Sequence, residues 1–506
     1  MVPTHDSSFD DRRLFRRRLR YRITTLPILL LTASVLQRLD THAFASGHDR
    51  RPNIVFILAD DLGWSDLGCY GNSLFETPHL DRLAQQSLRL TQAYAPAPIC
   101  SASRAAILTG KTPARLGFEF VTKNAPGYQP VDAPLRAPPF TLNLPLDEVT
   151  IPEVLHTVGY ETAFFGKWHL NQHHGGYLGW SPTHGPKSQG FDVAEEDFGC
   201  HPYSYWSKKK QRAFQELPDG QFPVDSMTAR AERFLQSPHE KPFFLMVSHF
   251  YVHTPVHTRV RWLYDRYLDK IDAANPQREK LAHYGAMVST LDHFVGQLLQ
   301  TLDETGLAES TLVVFTSDNG GHPEYAGNAP LRGSKWNLYE GGIRVPFLVR
   351  WPDRIQPGTT SDAIVSAIDL LPTFADLTDA KSPKDIDGRS LRAVLSGDDS
   401  LDSERTALWH FPYYHPERGF SEAPSEIGIH DGVTSQTRPH SVWRAGPWKL
   451  IHFYEDQRNE LYHLPTDLSE QHNRSQSDPE VTRRLRRQLE AALQKSNARL
   501  PTVSPE

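Results

Sequence analysis

The chain has 506 residues, 23% of them charged and 39% hydrophobic, with a formal net charge of −6. These values suit a soluble globular protein with room for one large domain and a smaller one. They exclude a net basic surface for nucleic acid, so an anionic substrate must be attracted by local charge.

The first 45 residues differ from the rest. They carry eight arginines and four aspartates; a basic run ending at Arg22 precedes the apolar segment Ile23 to Leu36, and Ala43-Phe44-Ala45 supplies small residues. That order predicts a secretory signal peptide over residues 1–45. The apolar run of fourteen residues falls short of the roughly 20 that span a bilayer, although an uncleaved anchor is the competing reading. Arg12-Arg13-Leu14-Phe15 loosely resembles a twin-arginine export signal. The chain is expected to be exported, periplasmic or secreted, with a net charge near −10 once the segment is removed. Of the three cysteines, Cys69, Cys100 and Cys200, an exported protein could pair two and leave one; if Cys100 is set apart by modification, Cys69 and Cys200 are the candidate pair, and the competing reading keeps both free and buried.

Asn53 to Ala59 is a continuous apolar, β-branched run, expected to be a strand buried on both faces. It ends in Asp60-Asp61. Two carboxylates at a strand end can converge if a cation offsets their repulsion, or they form a solvated loop pair. Thr77-Pro78 starts a helix through Leu83, with Pro at its first position. Cys100 then sits among small residues, four positions before Arg104, at the start of a further helix. Those residues describe either an activated cysteine facing an anion or a buried packing residue.

Residues 121–148 read as a long loop that could border a site. A helix is predicted from Thr150 to Val158 and a short strand from Tyr160 to Phe165, with Lys167 and His169 just beyond it. Lys and His two apart point the same way on an extended chain and could face one anion. Residues 171–222 are irregular, with His173, His174, Trp180, Tyr203, Tyr205 and Trp206; they suit a sugar ring or a structural Ω-loop. Lys208-Lys209-Lys210 reads as a solvated charge run.

A helix from Asp225 to Leu235 and a strand from Pro242 to Phe250 follow, with His253 just past the strand. Leu281, Tyr284, Val288, Leu291, Val295 and Leu298 recur at three and four, predicting a long helix packed on the sheet. Thr311 to Phe315 is the next strand and leads into Asp318-Asn319. Lys335 lies farther on, and Val345 to Arg350 is another strand. Val365 to Leu377 reads as a helix. A domain boundary is expected within 379–404. Beyond it Ala407 to His410, Ser441 to Phe453 and Glu460 to His463 read as antiparallel strands, and Asp478 to Lys495 as a terminal helix.

The recurring order of strand, polar residues and helix predicts α/β architecture, which places ligands beyond the carboxyl ends of its strands. Asp60/Asp61, Lys167/His169, His253 and Asp318/Asn319 all occupy that position.

From Pro52 onward the chain resembles the type I sulfatases. The resemblance rests on Ala59-Asp60-Asp61-Leu62-Gly63, on Cys100-Ser101-Ala102-Ser103-Arg104 running into Leu108-Thr109-Gly110-Lys111, and on Gly166-Lys167-Trp168-His169-Leu170. Phe315 to Gly320, Arg332-Gly333-Ser334-Lys335, and Trp443 to Leu450 with Glu460-Leu461-Tyr462 extend it. Ala102 stands where Pro is commonest in the family. The resemblance implies an alkaline phosphatase-like large mixed sheet flanked by helices over 46–400. Over 401–506 it implies a small C-terminal antiparallel subdomain with a terminal helix.

It implies that Cys100 is oxidised to formylglycine (3-oxoalanine) by a formylglycine-generating enzyme. A divalent cation, Ca²⁺ rather than Mg²⁺, is then held by Asp60, Asp61, Asp318, Asn319 and the modified Cys100, a hard-oxygen set. Arg104, Lys167 and Lys335 supply positive charge, while His169 and His253 move protons. Lys167, Lys335 and His253 also contact substrate, a sulfated carbohydrate or aryl sulfate. The aldehyde hydrate attacks sulfur, the alcohol leaves with a proton from His253 or Lys335, and His169 assists release of sulfate. Two other readings remain: a phosphodiester or phosphonate monoester hydrolase on the same scaffold, and a non-catalytic sulfoglycan-binding protein.

Overall fold

The central strand, β1 (Asn53–Ala59), has no exposed side chain from Ile54 to Ala59. Its residues alternate between two cores. Val55, Ile57 and Ala59 pack into one, and Ile54, Phe56 and Leu58 into the other. A strand buried on both faces needs this unbroken apolar run. The computed structural model describes residues 51–123, 133–326, 328–398, 405–414 and 437–503. The expected signal peptide and residues 124–132 of the first long loop lie outside the described residues.

In chain order the next strands are β2 (Leu88–Tyr94), β3 (Leu135–Arg136), β4 (Glu161–Gly166), β5 (Val193–Glu195), β6 (Phe243–Ser248), β7 (Thr311–Ser317), β8 (Phe347–Arg350) and β9 (Thr359–Ser366). Eight of these nine form one sheet in the order β5-β4-β6-β1-β7-β8-β2-β9. Only β8 runs against its neighbours, so the carboxyl ends of β4, β6, β1 and β7 lie side by side. The helix Arg278–Glu304 covers one face through Tyr284, Val288, Leu291, Val295 and Leu298. The other face carries residues of Cys100–Thr109, Ile151–His156 and Leu370–Leu377.

Two expectations change. The stretch read as one helix from Val365 begins as β9, and its α-helix starts only at Leu370. The Asp369 carboxylate accepts the Ser366 N–H at 2.8 Å, capping the turn between them. Ser441 to Phe453 is a hairpin of two strands, His440–Ala445 and Trp448–Phe453, and not one strand. Strand β2 and the helix Arg261–Lys270 were not anticipated.

Strands β10 (Thr406–Phe411), β11 (His440–Ala445), β12 (Trp448–Phe453) and β13 (Asn459–His463) form an antiparallel sheet in sequence order. The helix Pro479–Lys495 covers one face with Leu485, Leu489 and Leu493. The other face sets Trp409, Phe411, Val442 and Ile451 against Tyr94, Ile99, Ala102 and Trp336. The small sheet therefore supports the segment that enters the Cys100 helix. A last pair joins β14 (Thr502–Val503) to β3. All three cysteines are free; no Cys69–Cys200 bridge forms, and Cys200 Sγ instead lies 3.2 Å from Tyr251 Oη.

Candidate active site

Four strand ends and one helix start bring the singled-out residues together. Asp60 and Asp61 follow β1, Lys167 and His169 follow β4, His253 follows β6, Asp318 and Asn319 follow β7, and Cys100 opens its helix. Asp61 adopts a left-handed backbone, φ 61°, which turns two neighbouring carboxylates to the same side. The Asp61 N–H donates to Asp318 Oδ1 at 3.2 Å and locks that turn. His169 and Trp336 are also left-handed, at φ 56° and 77°. Such conformations are uncommon for residues with a Cβ, and they cluster at functional sites. Before Lys167, Gly166 has φ 111°, and a Cβ there would lie 2.0 Å from the Ser248 carbonyl. Only glycine fits that approach.

Every one of these side chains is buried, from 0% exposed at Asp60 to 8% at His253. Charges so placed must be paired. Lys167 Nζ pairs with Asp60, and Lys335 Nζ lies 2.7 Å from Asp61 Oδ2. The Arg104 guanidinium donates to Asp318 Oδ2 at 2.8 Å and to the Lys167 carbonyl at 2.7 Å. Asn319 Nδ2 donates to Asp61 Oδ1 at 2.8 Å. Cys100 Sγ lies 3.3 Å from Asp60 Oδ1 and 3.8 Å from Asp61 Oδ1.

Cys100, His169, His253 and Lys335 reach a cleft of about 830 Å³. Lys123 comes to its wall from the first long loop, Tyr177 and Tyr203 from the second, and Trp336 from beside Lys335. Tyr177 and Trp336 were not anticipated as site residues. Nor was His322, whose ring packs against Trp336 with centroids 4.8 Å apart. Its one sequence signal is its place in the segment that leaves β7.

Residues 52–380 match the sulfatase family, and residues 334–498 match the C-terminal region of N-sulphoglucosamine sulphohydrolase. The chain belongs to the sulfatase family. This sulfatase, a sulfuric ester hydrolase, is 34% identical to mouse (Mus musculus) steryl-sulfatase over 72% of its own length and 68% of the relative's. It is 34% identical to human (Homo sapiens) arylsulfatase A over 79% and 78%. A sulfatase of Formosa agariphila is 30% identical over 89% and 90%. Among solved structures, Ps i-CgsB in complex with k-i-k-neocarrahexaose superposes with a TM-score of 0.67 at 26% identity, covering 88% of this chain and 93% of that one.

The electrostatics of the sulfatase site correct one sequence expectation. Arg104 does not activate the Cys100 thiol. Burial, then Asp318 and Asp60, push the thiol well above its ordinary range, because the Arg104 charge is taken up by those same carboxylates. Burial also raises Asp61, but Lys335, then His253 and Lys167, outweigh it and hold that carboxyl far below the usual range. Asp318 is pushed up to about 7 by burial and by Asp60. For Lys335, burial disfavours the charge, yet Asp61 more than restores it and keeps the ammonium protonated. Burial and Lys167 hold His169 well below the ordinary histidine range, and His253 is lowered by burial, Lys167 and Lys335.

The residues fit a hard cation. Asn319 Oδ1 is buried without a hydrogen-bond partner, beside three carboxylates, an oxygen-rich set of the kind Ca²⁺ or Mg²⁺ takes. Donor atoms of Asp60, Asp61, Cys100 and His253 lie within 4.8 Å of one another. That cluster differs from the expected ligand set. It includes His253, while Asp318, with one oxygen on Arg104 and the other on the Asp61 amide, keeps a lone pair on each oxygen for a cation.

Proposed function

We propose that this sulfatase hydrolyses a sulfated carbohydrate or aryl sulfate with formylglycine at position 100 and a bound divalent cation, Ca²⁺ in preference to Mg²⁺. The observation that carries this reading is the placement of Cys100 against Asp60 and Asp61, opening into a cleft that also holds His169, His253 and Lys335. The carbohydrate option is supported by Ps i-CgsB, whose structure was solved with a hexaose.

An aldehyde hydrate at position 100 would supply the attacking hydroxyl and a second one for release of sulfate, and a cation held by Asp60, Asp61, Asp318, Asn319 and the modified residue 100 would offset charge on the sulfuryl oxygens. Lys167 and Lys335 add fixed positive charge around the same point, and Arg104 orients Asp318 and the Lys167 backbone. His253 Nδ1 lies 2.6 Å from the Thr254 carbonyl. A carbonyl only accepts, so in the neutral ring the proton sits on Nδ1 and Nε2 is bare, 3.6 Å from Asp61 Oδ2. Lys335, held protonated by Asp61, is therefore the donor to the departing alcohol oxygen. Burial and Lys167 favour neutral His169, and its buried Nδ1 has no partner, so it is the group placed to take the proton of the remaining hydroxyl as sulfate leaves.

The same reading has residues 1–45 removed on export to the periplasm or medium, a formylglycine-generating enzyme acting on Cys100, and a boundary near residue 400 between catalytic domain and C-terminal subdomain. The test combines mass and rate. Protein from a host that makes formylglycine should show the Cys100 peptide about 18 Da lighter than its thiol form. Turnover of sulfate esters should exceed that of matched phosphate and phosphonate esters and vanish in Cys100→Ala. Full sulfatase activity with an unmodified Cys100, or faster phosphate turnover, would overturn it.

A further inference from the structure

We propose that a shelf of arginines stacked on aromatic rings beside the cleft binds additional sulfate groups of a multiply sulfated saccharide chain. The inference rests on the sulfatase reading above and names the substrate class as polyanionic.

Two segments leave the cleft wall together. One runs from Tyr203 to Trp206, the other from His253 through Pro255 to Arg261. Tyr205 Oη donates to the His257 carbonyl at 2.9 Å, and the Trp206 ring meets His257 at a centroid distance of 5.6 Å. Along this path three guanidiniums lie over rings: Arg212 over Trp206 at 3.9 Å, Arg259 over Tyr205 at 4.0 Å and Arg261 over Phe214 at 4.1 Å.

What holds the first two is backbone and not carboxylate. Arg212 Nε donates to the Trp206 carbonyl at 2.7 Å, and Arg259 Nη1 to the Gln211 carbonyl at 3.2 Å. Among the described residues no ion pair engages either. Only Arg261 approaches acids, Glu216 at 3.7 Å and Asp265 at 3.6 Å. Lys208 and Lys210 are exposed in the same segment. In a protein of net negative charge, uncompensated cations next to a sulfate ester site are a local attraction for anions. Stacking orders the guanidinium before binding, so less freedom is lost when it takes two oxygens of a sulfate. A simple aryl sulfate, with one sulfate in the cleft, has nothing for this shelf to hold.

The experiment measures binding of a size-fractionated dextran sulfate oligomer to full-length Cys100→Ala by calorimetry at about 50 and 200 mM salt. Adding Arg212→Ala and Arg259→Ala should weaken binding about tenfold at the lower salt and flatten the salt dependence, with an unchanged melting temperature. The paired Arg212→Lys and Arg259→Lys changes should recover only part of the affinity, because Lys keeps the charge but not the stacked, two-oxygen fork. In the converted enzyme the alanine pair should leave 4-nitrophenyl sulfate turnover within about twofold. Undiminished dextran sulfate binding by the alanine pair, or a parallel loss of 4-nitrophenyl sulfate turnover, would overturn the shelf. Failure of the parent enzyme to cleave any sulfate ester, with the binding loss still present, would sink the hydrolase reading and leave the shelf standing.

Discussion

Tyr203 Oη lies 2.7 Å from His253 Nδ1. The Thr254 carbonyl sets the tautomer by accepting the Nδ1 proton, and Tyr203 accepts from the same N–H, so a residue from the irregular second loop fixes the tilt of a histidine at the strand end. Tyr203→Phe removes one of those two acceptors and keeps the ring. A net loss of about 1 kcal/mol is expected, seen as roughly a fivefold drop in kcat with KM nearly unchanged. Steady-state kinetics on an aryl sulfate checks this; a change confined to KM would make Tyr203 a substrate contact instead of a positioning residue.

Asp61 joins most of the site, since it touches Lys335, Asn319 and His253. Asp61→Asn should lower kcat/KM by at least about 100-fold and abolish Ca²⁺ binding measured by calorimetry. Treating the parent protein with a chelator should lower its melting temperature, with Ca²⁺ restoring it better than Mg²⁺. The variant's melting temperature should not respond to either.

Gly166→Ala tests the close approach of β4 and β6. The added Cβ would meet the Ser248 carbonyl at 2.0 Å in a left-handed backbone. A destabilisation of about 3 kcal/mol or more in urea titrations is expected, together with loss of activity because Lys167 follows directly.

His440 gives a pH dependence whose sign is set by geometry. Its Nε2 accepts the Leu338 N–H at 2.9 Å and its Nδ1 donates to the Arg438 carbonyl at 2.6 Å, so the folded protein holds the neutral ring. Burial above all brings it down to about 3. Below the ordinary value of about 6.5 the unfolded chain binds the extra proton and the native state does not. Stability therefore falls as pH drops, by about 2 kcal/mol from this residue between pH 7 and 5. Urea titrations should show the cost of His440→Gln smaller by that amount at pH 5 than at pH 7.

Where Cys100 remains a thiol, burial together with Asp318 and Asp60 keeps it protonated. It should resist iodoacetamide in the native protein at pH 8, and label only after unfolding, as read by peptide mass.

Much of the fold was legible because its signals are local. The unbroken apolar runs of β1, β6 and β7, and the spacing of Tyr284, Val288, Leu291, Val295 and Leu298, each encode burial in adjacent positions. Strand β2 was missed because its burial alternates imperfectly. The start of β9 was missed because its apolar end runs into the following helix.

The sequence by itself determined which residues stand at the strand ends and that their chemistry is three carboxylates, an amide, two lysines, an arginine and two histidines around one cysteine. Only the tertiary structure decided how they pair. Arg104 meets Asp318 across 214 positions, Asn319 meets Asp61 across 258, and Lys335 meets Asp61 across 274. Those contacts depend on a sheet order that departs from chain order and on a left-handed turn at Asp61. The same pairings quench the Arg104 charge, so the cysteine that the local sequence offers as activated is held protonated wherever it remains a thiol. Charge in a buried site is set by what surrounds it in space, and adjacent residues along the chain carry little information about that.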